Sequence, residues 1–469
     1  GMGWTDNFAT HVSNEPVPTH PDFPQPDPNQ QAWMYHLSIG MKSYAFIGGT
    51  TGGSVQFPSH VPWGSYQSVS KNGVKAVFNG TTMSGYYTLT ESDGTVTNFT
   101  PGVSNARVSN ITYPDGTRLD FTYSTFGSGR LESVFSNRGW AILFDAPTTA
   151  CVVNLARTYV SATSNCPPGP RSAPYNYPNG PYYTYAKNLT SVTKGGATAT
   201  YGYSPHDHLS CVRDPGETQC KISNTYGECP PIPWDPSYND RVRHLKDPVI
   251  SQQTASGEIY TYSPTTAQCR NTTPNEPDYF PWQGNSVTMT VNGTQTTAVS
   301  VNTGGMPTLI TDPLGRSTGI VYEPPSSYLE TETVDVNAAY EPEGSGMSYW
   351  RDDRGNIYQT VKKAKPGSGI ADITTTAVYP PSCSDPKTCN KPSSVTDGKG
   401  NLTSYTYAPA HGGVLTETGP AVGGVQPVKR LAYAQHYAWL AASGGGYAQA
   451  AGPVWLVSEE RTCRTSATV

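Results

Sequence analysis

Two short segments of this 469-residue sequence carry groups that could do chemistry. The densest cluster of potential metal ligands or acid–base groups is His206-Asp207-His208. It follows Tyr203-Ser204-Pro205, which favours a solvated hairpin turn over a metal site. A second segment, Gly48-Gly49-Thr50-Thr51-Gly52-Gly53-Ser54, could offer backbone amides to a phosphate. It lacks the Gly-Lys-Ser/Thr ending and no helical pattern follows, so a flexible loop is predicted.

Paired carboxylates occur at Asp352-Asp353 and at Glu341 and Glu343, but on polar turns such pairs are usually just hydrated. Neither a Gly-x-Ser-x-Gly elbow nor a His-Glu-x-x-His helix is present. The sequence therefore predicts a protein that is not an enzyme, with no catalytic, cofactor-binding or metal-binding residues. The alternative is a hydrolase whose site lies in an insertion loop.

The nine cysteines lack the Cys-x(2–4)-Cys pairs of a structural zinc site. The Pro- and Gly-rich context favours disulfides, with reduced structural thiols as the alternative. Cys383 and Cys389 enclose a proline turn, and Cys151 and Cys166 bracket a loop, so each couple is expected to form a staple. The odd count leaves one cysteine unpaired, and Cys463 is the candidate. The disulfide candidates, whose full connectivity stays open, are Cys151, Cys166, Cys211, Cys220, Cys229, Cys269, Cys383 and Cys389.

The composition indicates many short strands and turns rather than helices. Hydrophobic residues make up 35% of the chain and charged residues 14%, while Gly (47), Pro (42) and Tyr (31) are plentiful. A formal charge of −5 without basic stripes gives no footprint for nucleic acid. No apolar run approaches the roughly 20 residues of a membrane span.

A unit that reads Asp-x-x-Gly, followed by alternating positions that end in Tyr-x-Tyr, recurs along the chain. Its clearest copy is Ser394–Tyr407, where two β-prone runs flank a four-residue turn. Asp at the first position caps the turn, and Gly at the fourth takes a positive φ, which predicts a β-hairpin. The repeat-turn residues are Asp115 and Gly116, Asp312 and Gly315, Asp352 and Gly355, and Asp397 and Gly400.

This repetition divides the chain into two sections. Residues 1–90 are predicted to form a β-rich, plug-like lead, and residues 91–469 an irregular array of hairpins. A short helix is plausible only at Leu431–Gln449, which Gly444-Gly445-Gly446 interrupts. Loop insertions are predicted near residues 162–182, 227–240, 270–284 and 323–346.

The units resemble the YD repeats of the RHS-repeat family, in which an Asp-x-x-Gly turn precedes a closing aromatic-x-Tyr. The opening Gly1–Phe8 is similar to a segment that precedes the repeats in such proteins, which implies one portion of a longer polypeptide. The resemblance implies an all-β fold in which YD-type hairpins form a continuous spiralling sheet, a hollow shell or part of one. Such shells occur in encapsulating subunits of bacterial toxin complexes, RHS polymorphic toxins and, more distantly, teneurins.

One departure from the family concerns self-cleavage. Family shells usually close with a C-terminal Asp-Pro-x-Gly autoprotease segment, whereas Asp312-Pro313-Leu314-Gly315 and Asp214-Pro215-Gly216 lie in the middle of the array. Neither self-cleavage nor toxicity is therefore assigned to this chain.

Two surface chemistries remain open. In a bacterial chain the Asn-x-Ser/Thr sequons are ordinary turn and strand chemistry rather than glycosylation sites. Most tyrosines are expected to fill the sheet, but outward-facing ones could stack on sugar rings. The seven sequons begin at Asn79, Asn98, Asn110, Asn188, Asn271, Asn292 and Asn401.

The sequence thus predicts a structural, non-enzymatic protein, secreted or on a bacterial cell surface, that encloses or displays a partner domain. An adhesin that binds carbohydrate through exposed Tyr and Trp is the alternative. No cofactor is expected. The expected partners are the rest of a longer chain or other copies, joined through strand edges, and glycans in the alternative. The terminal strand at Val454–Ser458 has no obvious guard, so association through the ends is expected.

Overall fold

The computed structural model describes most of the chain. The described residues are 10–16, 33–39, 42–48, 65–68, 74–79, 85–101, 106–124, 131–145, 149–167, 172–176, 191–194, 197–204, 208–227, 249–264, 286–301, 307–322, 336–341 and 344–462.

Nearly all of the regular structure is β-strand, in runs of three to nine residues. The strands are β1 (Thr10–Pro16), β2 (Trp33–Ile39), β3 (Lys42–Gly48), β4 (Ser65–Ser68), β5 (Lys75–Asn79), β6 (Tyr86–Thr90), β7 (Val96–Phe99), β8 (Val108–Thr112), β9 (Arg118–Tyr123), β10 (Leu131–Ser136), β11 (Trp140–Asp145), β12 (Thr149–Asn154), β13 (Ser172–Asn176), β14 (Ser191–Lys194), β15 (Ala197–Tyr203), β16 (Leu209–Arg213), β17 (Ile222–Tyr226), β18 (Val249–Thr254), β19 (Ile259–Pro264), β20 (Ser286–Val291), β21 (Gln295–Val301), β22 (Pro307–Thr311), β23 (Ser317–Tyr322), β24 (Val336–Tyr340), β25 (Gly346–Arg351), β26 (Ile357–Lys363), β27 (Ile373–Val378), β28 (Ser394–Thr396), β29 (Leu402–Tyr407), β30 (Val414–Thr418), β31 (Val428–His436), β32 (Trp439–Ala441), β33 (Tyr447–Gln449) and β34 (Val454–Arg461).

The strands form one antiparallel ribbon in which neighbours in sequence are neighbours in space. Each strand from β1 to β30 pairs with the next, and β31 then pairs with β34, giving a 32-stranded sheet. The separate hairpin β32–β33 is inserted between those last two partners. The sheet does not close into a barrel, and the predicted all-β fold is confirmed.

The helix predicted within Leu431–Gln449 is wrong. Strands β31, β32 and β33 occupy this segment, because partner strands are available on both sides and pairing overrides the helix propensity of its alanines. The one helix among the described residues is α1 (Pro386–Cys389). The side chain of Asp385 caps it by accepting from the Lys387 N–H at 3.0 Å.

Two core clusters lie in the first third of the chain. The first joins β2 to strands β5–β10 through side chains such as Leu37, Tyr87, Leu89 and Phe99, each at most 2% exposed. The second, around Leu143 and Val153, lies between β11, β12 and the loop that follows. The first cluster contains residues from both sides of residue 90, the boundary predicted between the two sections. These packed layers give the front of the ribbon a conventional hydrophobic core.

The ribbon changes character from β15 onward. Only Cys211 and Ser348, which are 8% and 5% exposed, are buried among the described residues from 197 to 380. Cross-strand partners lie on one face of a sheet, and successive residues alternate between faces, so the register identifies two faces. One, here called the apolar face, carries half-buried side chains that include Val212, Ile222, Tyr260, Tyr262, Met289, Val299, Ile310, Ile320, Met347, Tyr349, Val395 and Tyr405.

The opposite face, here called the hydroxyl face, is dominated by short hydroxylated side chains. Its members include Ser223, Ser251, Thr261, Thr288, Ser300, Thr311, Ser317, Thr374, Thr376, Ser394, Thr396 and Ser404. Several apolar side chains on this face are exposed, such as Leu309 (42%) and Val321 (47%), although the buried Cys211 and Ser348 also lie on it. Most side chains of the apolar face are half-buried, and no second layer covers that face in the described residues.

Candidate functional site

Three of the repeat turns share one hydrogen-bonding pattern. In each, the Oδ1 atom of the first-position Asp accepts from the backbone N–H groups two and four residues later. Those N–H groups are Leu314 and Arg316 for Asp312 (2.9 and 2.9 Å), Arg354 and Asn356 for Asp352 (2.9 and 2.9 Å), and Lys399 and Asn401 for Asp397 (2.8 and 2.9 Å). The fourth-position glycines Gly315, Gly355 and Gly400 have φ of 77°, 80° and 82°. This is a type I turn followed by a glycine bulge.

The carboxylates are held ionised by these contacts. The pKa of Asp397 lies below its ordinary value because the Asn401 side chain, and then the backbone N–H groups of Asn401 and Lys399, donate to it. The Arg316 side chain lowers the pKa of Asp312 in the same way.

The turn at Asp115 differs from the predicted pattern. Tyr113 occupies the first position, since the Gly116 N–H donates to its carbonyl at 2.9 Å. Asp115 stands third, and its Oδ1 accepts from the Thr117 N–H at 2.8 Å. Gly116 keeps the positive φ of the fourth position, at 84°. The fold of the turn is thus preserved while its aspartate has moved along the loop.

The closing tyrosine of a repeat bonds back to the start of that repeat. In three repeats its hydroxyl donates to the carbonyl at the residue five before the turn aspartate: Tyr226 to Leu209 (2.8 Å), Tyr322 to Pro307 (2.7 Å) and Tyr407 to Pro392 (2.8 Å). In each, the ladder shifts register immediately before the tyrosine. A β-bulge re-aims a side chain, and here it accompanies the hydroxyl's contact with the start of the repeat.

We expect Tyr407→Phe to lower the free energy of unfolding by about 1 kcal/mol, because one intramolecular hydrogen bond is lost. Burial, then the neighbouring Tyr405 and Tyr379, raise the pKa of Tyr407 to about 12. The wild type should therefore lose this contribution between pH 10, the ordinary value, and pH 12, as the hydroxyl ionises. Denaturant titrations across this range measure both effects. Tyr405→Phe is the matched control, and an equal loss in both variants would contradict the prediction.

Hairpin turns from the front of the ribbon meet segments near its C-terminal end. We call this contact the seam. Its front side consists of turns 91–95, 113–117 and 136–140, and its rear side of residues 386–391, 408–413, 433–441 and 450–455. The Asn390 side-chain amide donates to the Ser92 carbonyl at 2.8 Å, across 298 residues of sequence. The ribbon therefore returns onto itself.

Backbone groups lie close together along the seam. The Trp455 N–H donates to the Asp115 carbonyl at 2.7 Å. Gly116 and Gly94 (φ 91°) have no room for a side chain, since an added Cβ would lie 2.5 Å from the Pro453 carbonyl oxygen and 2.5 Å from the Lys387 side chain. Glycine is thus required at these two turns by neighbours as well as by φ.

Asn137 joins three segments at the centre of the seam. Its Nδ2 donates to the Gly116 carbonyl at 2.8 Å and to the Gly452 carbonyl at 3.2 Å, while its Oδ1 accepts from the Arg118 N–H at 2.8 Å. The side chain is only partly exposed, so these groups would otherwise be poorly solvated.

His411 lies buried on the rear side, with 7% of its surface exposed. Its ring centroid is 4.3 Å from that of Tyr433 and 4.8 Å from that of Trp455. Its Nδ1 accepts from the Gly413 N–H at 3.1 Å, which requires that nitrogen to be unprotonated.

The charges around His411 oppose its protonation. Burial is the main cause that lowers the pKa of His411, followed by the positive charges of Lys391 and Lys387. The charge of Asp115 raises this pKa. The pKa of Lys391 is itself lowered by burial, against the pull of Asp93. The seam therefore holds a neutral imidazole near two lysines.

Three disulfides are present among the described residues. They join Cys151 to Cys166, Cys211 to Cys220 and Cys383 to Cys389. The last holds α1, whose neighbour Asn390 carries a seam contact. Cys229, Cys269 and Cys463 lie outside the described residues.

We expect peptide mapping of the unreduced protein to recover Cys383 and Cys389 in one disulfide-linked fragment. Replacing both with serine should cost about 2 kcal/mol of stability, because the closed loop is short. Alkylation of both thiols without prior reduction would contradict the assignment.

The other chemical candidates are not brought together. His206, Asp207 and most of the glycine-rich segment lie outside the described residues, and His208 stacks on Tyr226 with centroids 4.6 Å apart. The Asp352 carboxylate accepts backbone hydrogen bonds within its own turn. No group of three or more His, Cys, Asp or Glu side chains that could hold a metal ion occurs among the described residues.

Three of the sequon asparagines form a polar ladder across β5–β8. The Asn79 amide donates to Thr88, Thr88 donates to Asn98, and the Asn98 amide donates to Asn110, at 2.9, 2.8 and 3.0 Å. The amide nitrogens that a glycan would modify on Asn79 and Asn98 are therefore engaged in the sheet.

The strand predicted at Val454–Ser458 is present as β34, but its edge is guarded. The Trp455 N–H already donates to the Asp115 carbonyl. The far end of the strand carries Glu459, Glu460 and Arg461, and charged side chains discourage edge pairing. The expectation of an unguarded edge is therefore corrected.

Comparisons with known proteins give matches only among solved structures. No family model and no curated protein matches the chain. It is similar to a chain of the Photorhabdus luminescens Tc holotoxin pore, with TM-score 0.35, 10% identity, and coverage of 94% of this chain and 22% of that one. A TcdB2-TccC3-Cdc42 structure gives TM-score 0.29, 11% identity, and coverage of 90% and 22%. The chain thus spans about a fifth of the length of these proteins (22%). No helix in the described part of the chain has the length and hydropathy of a membrane span.

Proposed function

We propose that this chain is a structural, non-enzymatic RHS/YD-repeat protein, secreted or on the cell surface, that forms part of a β-shell and encloses or displays a partner domain. The observation that carries the proposal is the apolar face from β15 to β30. Its aliphatic and aromatic side chains stay half-buried over many strands, with no second layer in the described residues. A sheet with one apolar face needs something to cover that face.

The seam supports the same proposal. A ribbon that returns onto its own front turns has one face turned toward the space it surrounds. The apolar face fits this inward position, and the hydroxyl face suits contact with water. The disulfides fit an oxidising, extracellular location. The plug-like role of residues 1–90 belongs to this proposal as well.

Paired cysteine labelling tests which face is enclosed. Val299 and Ser300 are adjacent on β21 and lie on opposite faces. Val299→Cys and Ser300→Cys should react similarly with a small maleimide. With a maleimide carried on a large polyethylene glycol, the cysteine at 299 should react far more slowly than the one at 300. The parent chain supplies the background from native thiols. Equal rates with the large reagent at both positions would refute enclosure.

The proposed partners are the rest of a longer chain or other copies. Within the described residues β1 pairs only with β2, so its other edge is an open end of the sheet, whereas the contact at Trp455 and the charged side chains guard the edge of β34. We expect the apparent mass in light scattering to rise with protein concentration as such ends associate. A constant monomer mass over a hundredfold range of concentration would count against association of copies.

A further inference from the structure

The hairpin β32–β33 forms its own two-stranded sheet and pairs with no other described strand. Its Leu440 packs against the second core cluster. The Ala441 N–H donates to the Leu155 carbonyl at 2.7 Å, and the Ala450 N–H donates to the Ala438 carbonyl at 2.9 Å. The inner face of the hairpin is therefore fixed on the front of the molecule.

Its outer face presents two aromatic rings. Trp439 is opposite Gln449 and Tyr447 is opposite Ala441, so all four lie on the face away from Leu440. Trp439 is 55% exposed and Tyr447 is 67% exposed. They are diagonal neighbours in the pair, a relation that places Cα atoms about 7–8 Å apart.

The hairpin itself carries no charged side chain, and its turn is open. The segment 437–453 contains no Asp, Glu, Lys, Arg or His. At Gly444, Gly445 and Gly446 a Cβ atom would meet nothing within 4 Å. The outer face has no large aliphatic side chain, since the other two residues are Ala441 and Gln449. Two exposed aromatic rings on one face of a short hairpin offer a flat apolar surface with a polar group at its edge.

We infer that the outer face of β32–β33 binds a neutral saccharide, with Trp439 and Tyr447 as stacking platforms and Gln449 as a hydrogen-bonding group. A pyranose ring has a face of polarised C–H bonds that suits the negative face of an aromatic ring. Its rim of hydroxyls suits an amide that both donates and accepts. A protein partner would need about 1,000 Å² of buried surface, which two three-residue strands do not supply. The inference stands apart from the shell proposal.

The test uses the full chain and an immobilised panel of neutral gluco-, manno-, galacto- and N-acetylglucosamine oligosaccharides. The strongest panel member is then titrated by calorimetry. We expect Trp439→Ala and Tyr447→Ala each to weaken its binding about tenfold or more. Trp439→Phe should retain most of the affinity. Trp350→Ala is the control, because Trp350 is also exposed (38%) but lies on β25. Thermal unfolding of each variant verifies its fold.

Three outcomes would overturn the inference. The wild type could bind no member of the panel. Binding could survive the double variant Trp439→Ala/Tyr447→Ala. The wild type could also prove dimeric, with Trp439→Ala converting it to a monomer, which would identify a second copy as the occupant. None of these results bears on the maleimide experiment, so the two proposals fail separately.

Discussion

Gly116→Ala is expected to open the seam, whereas Gly400→Ala should not. The two glycines occupy the fourth position of equivalent turns, with φ of 84° and 82°. Each alanine therefore costs about 1–2 kcal/mol for the left-handed backbone. At position 116 the new Cβ also meets the Pro453 carbonyl, while at position 400 it meets nothing within 4 Å. The clash should add about 1–3 kcal/mol.

Hydrogen exchange at the Trp455 amide reports on this difference directly, because that amide donates to Asp115 across the seam. We expect its protection to fall in Gly116→Ala and to persist in Gly400→Ala. Global unfolding by denaturant gives the energetic comparison. Equal destabilisation of the two variants, with Trp455 protected in both, would show that the contact at Pro453 contributes nothing to stability.

The second large effect expected is a loss of seam stability in mild acid. The pKa of His411 is lowered in the folded chain, first by burial and then by Lys391 and Lys387, from an ordinary value of 6.5. The stability linked to the neutral imidazole is thus fully present above pH 6.5 and is lost as pH falls toward the lower folded value. Protonation would also remove the acceptor for the Gly413 N–H. Because one proton is involved, the slope between these limits cannot exceed about 1.4 kcal/mol per pH unit.

His411→Asn separates this titration from simple packing loss. Asparagine keeps an acceptor near the position of Nδ1 but does not titrate, so this variant should be less stable at pH 8 and flatter between pH 7 and pH 5. The control is His436→Asn, which makes the same change at an exposed side chain. The aspartates of the repeat turns act in a lower window, below their ordinary pKa of 3.8. If the free energy of unfolding of His411→Asn depended on pH as in the wild type, a group other than His411 would cause the acid sensitivity.

The repeats were predictable from sequence because their chemistry is local. The bonds from Asp397 reach only two and four residues ahead, and the bond from Tyr407 spans 15 residues. The seam was not predictable, since the Asn390–Ser92 contact spans 298 residues and neither residue type is unusual. The displaced aspartate of the turn at 113–117 was misassigned because Asp-Gly satisfies two turn positions equally well by composition.

The disulfide partner of a cysteine could be predicted only where the two cysteines enclose a short loop that contains proline, as at Cys383 and Cys389. The bond from Cys211 to Cys220 closes a similarly short loop of nine residues, yet four candidate cysteines in that region left its pairing open. The missed helix α1 had a visible signal, since Asp385-Pro386 is a typical helix start. The wrong helix at 431–449 had only alanine content in its favour.

The order of pairing along the ribbon has a consequence for how the chain acquires its structure. Each strand of the array needs only its immediate predecessor as a template, so the meander can grow in step with synthesis from the ribosome, one hairpin at a time. Seam contacts must wait until residues near 455 have emerged, and closing so long a loop is slow. Folding should therefore end with a distinct late phase, in which Trp455 reaches the turn at Asp115 after most strands have paired.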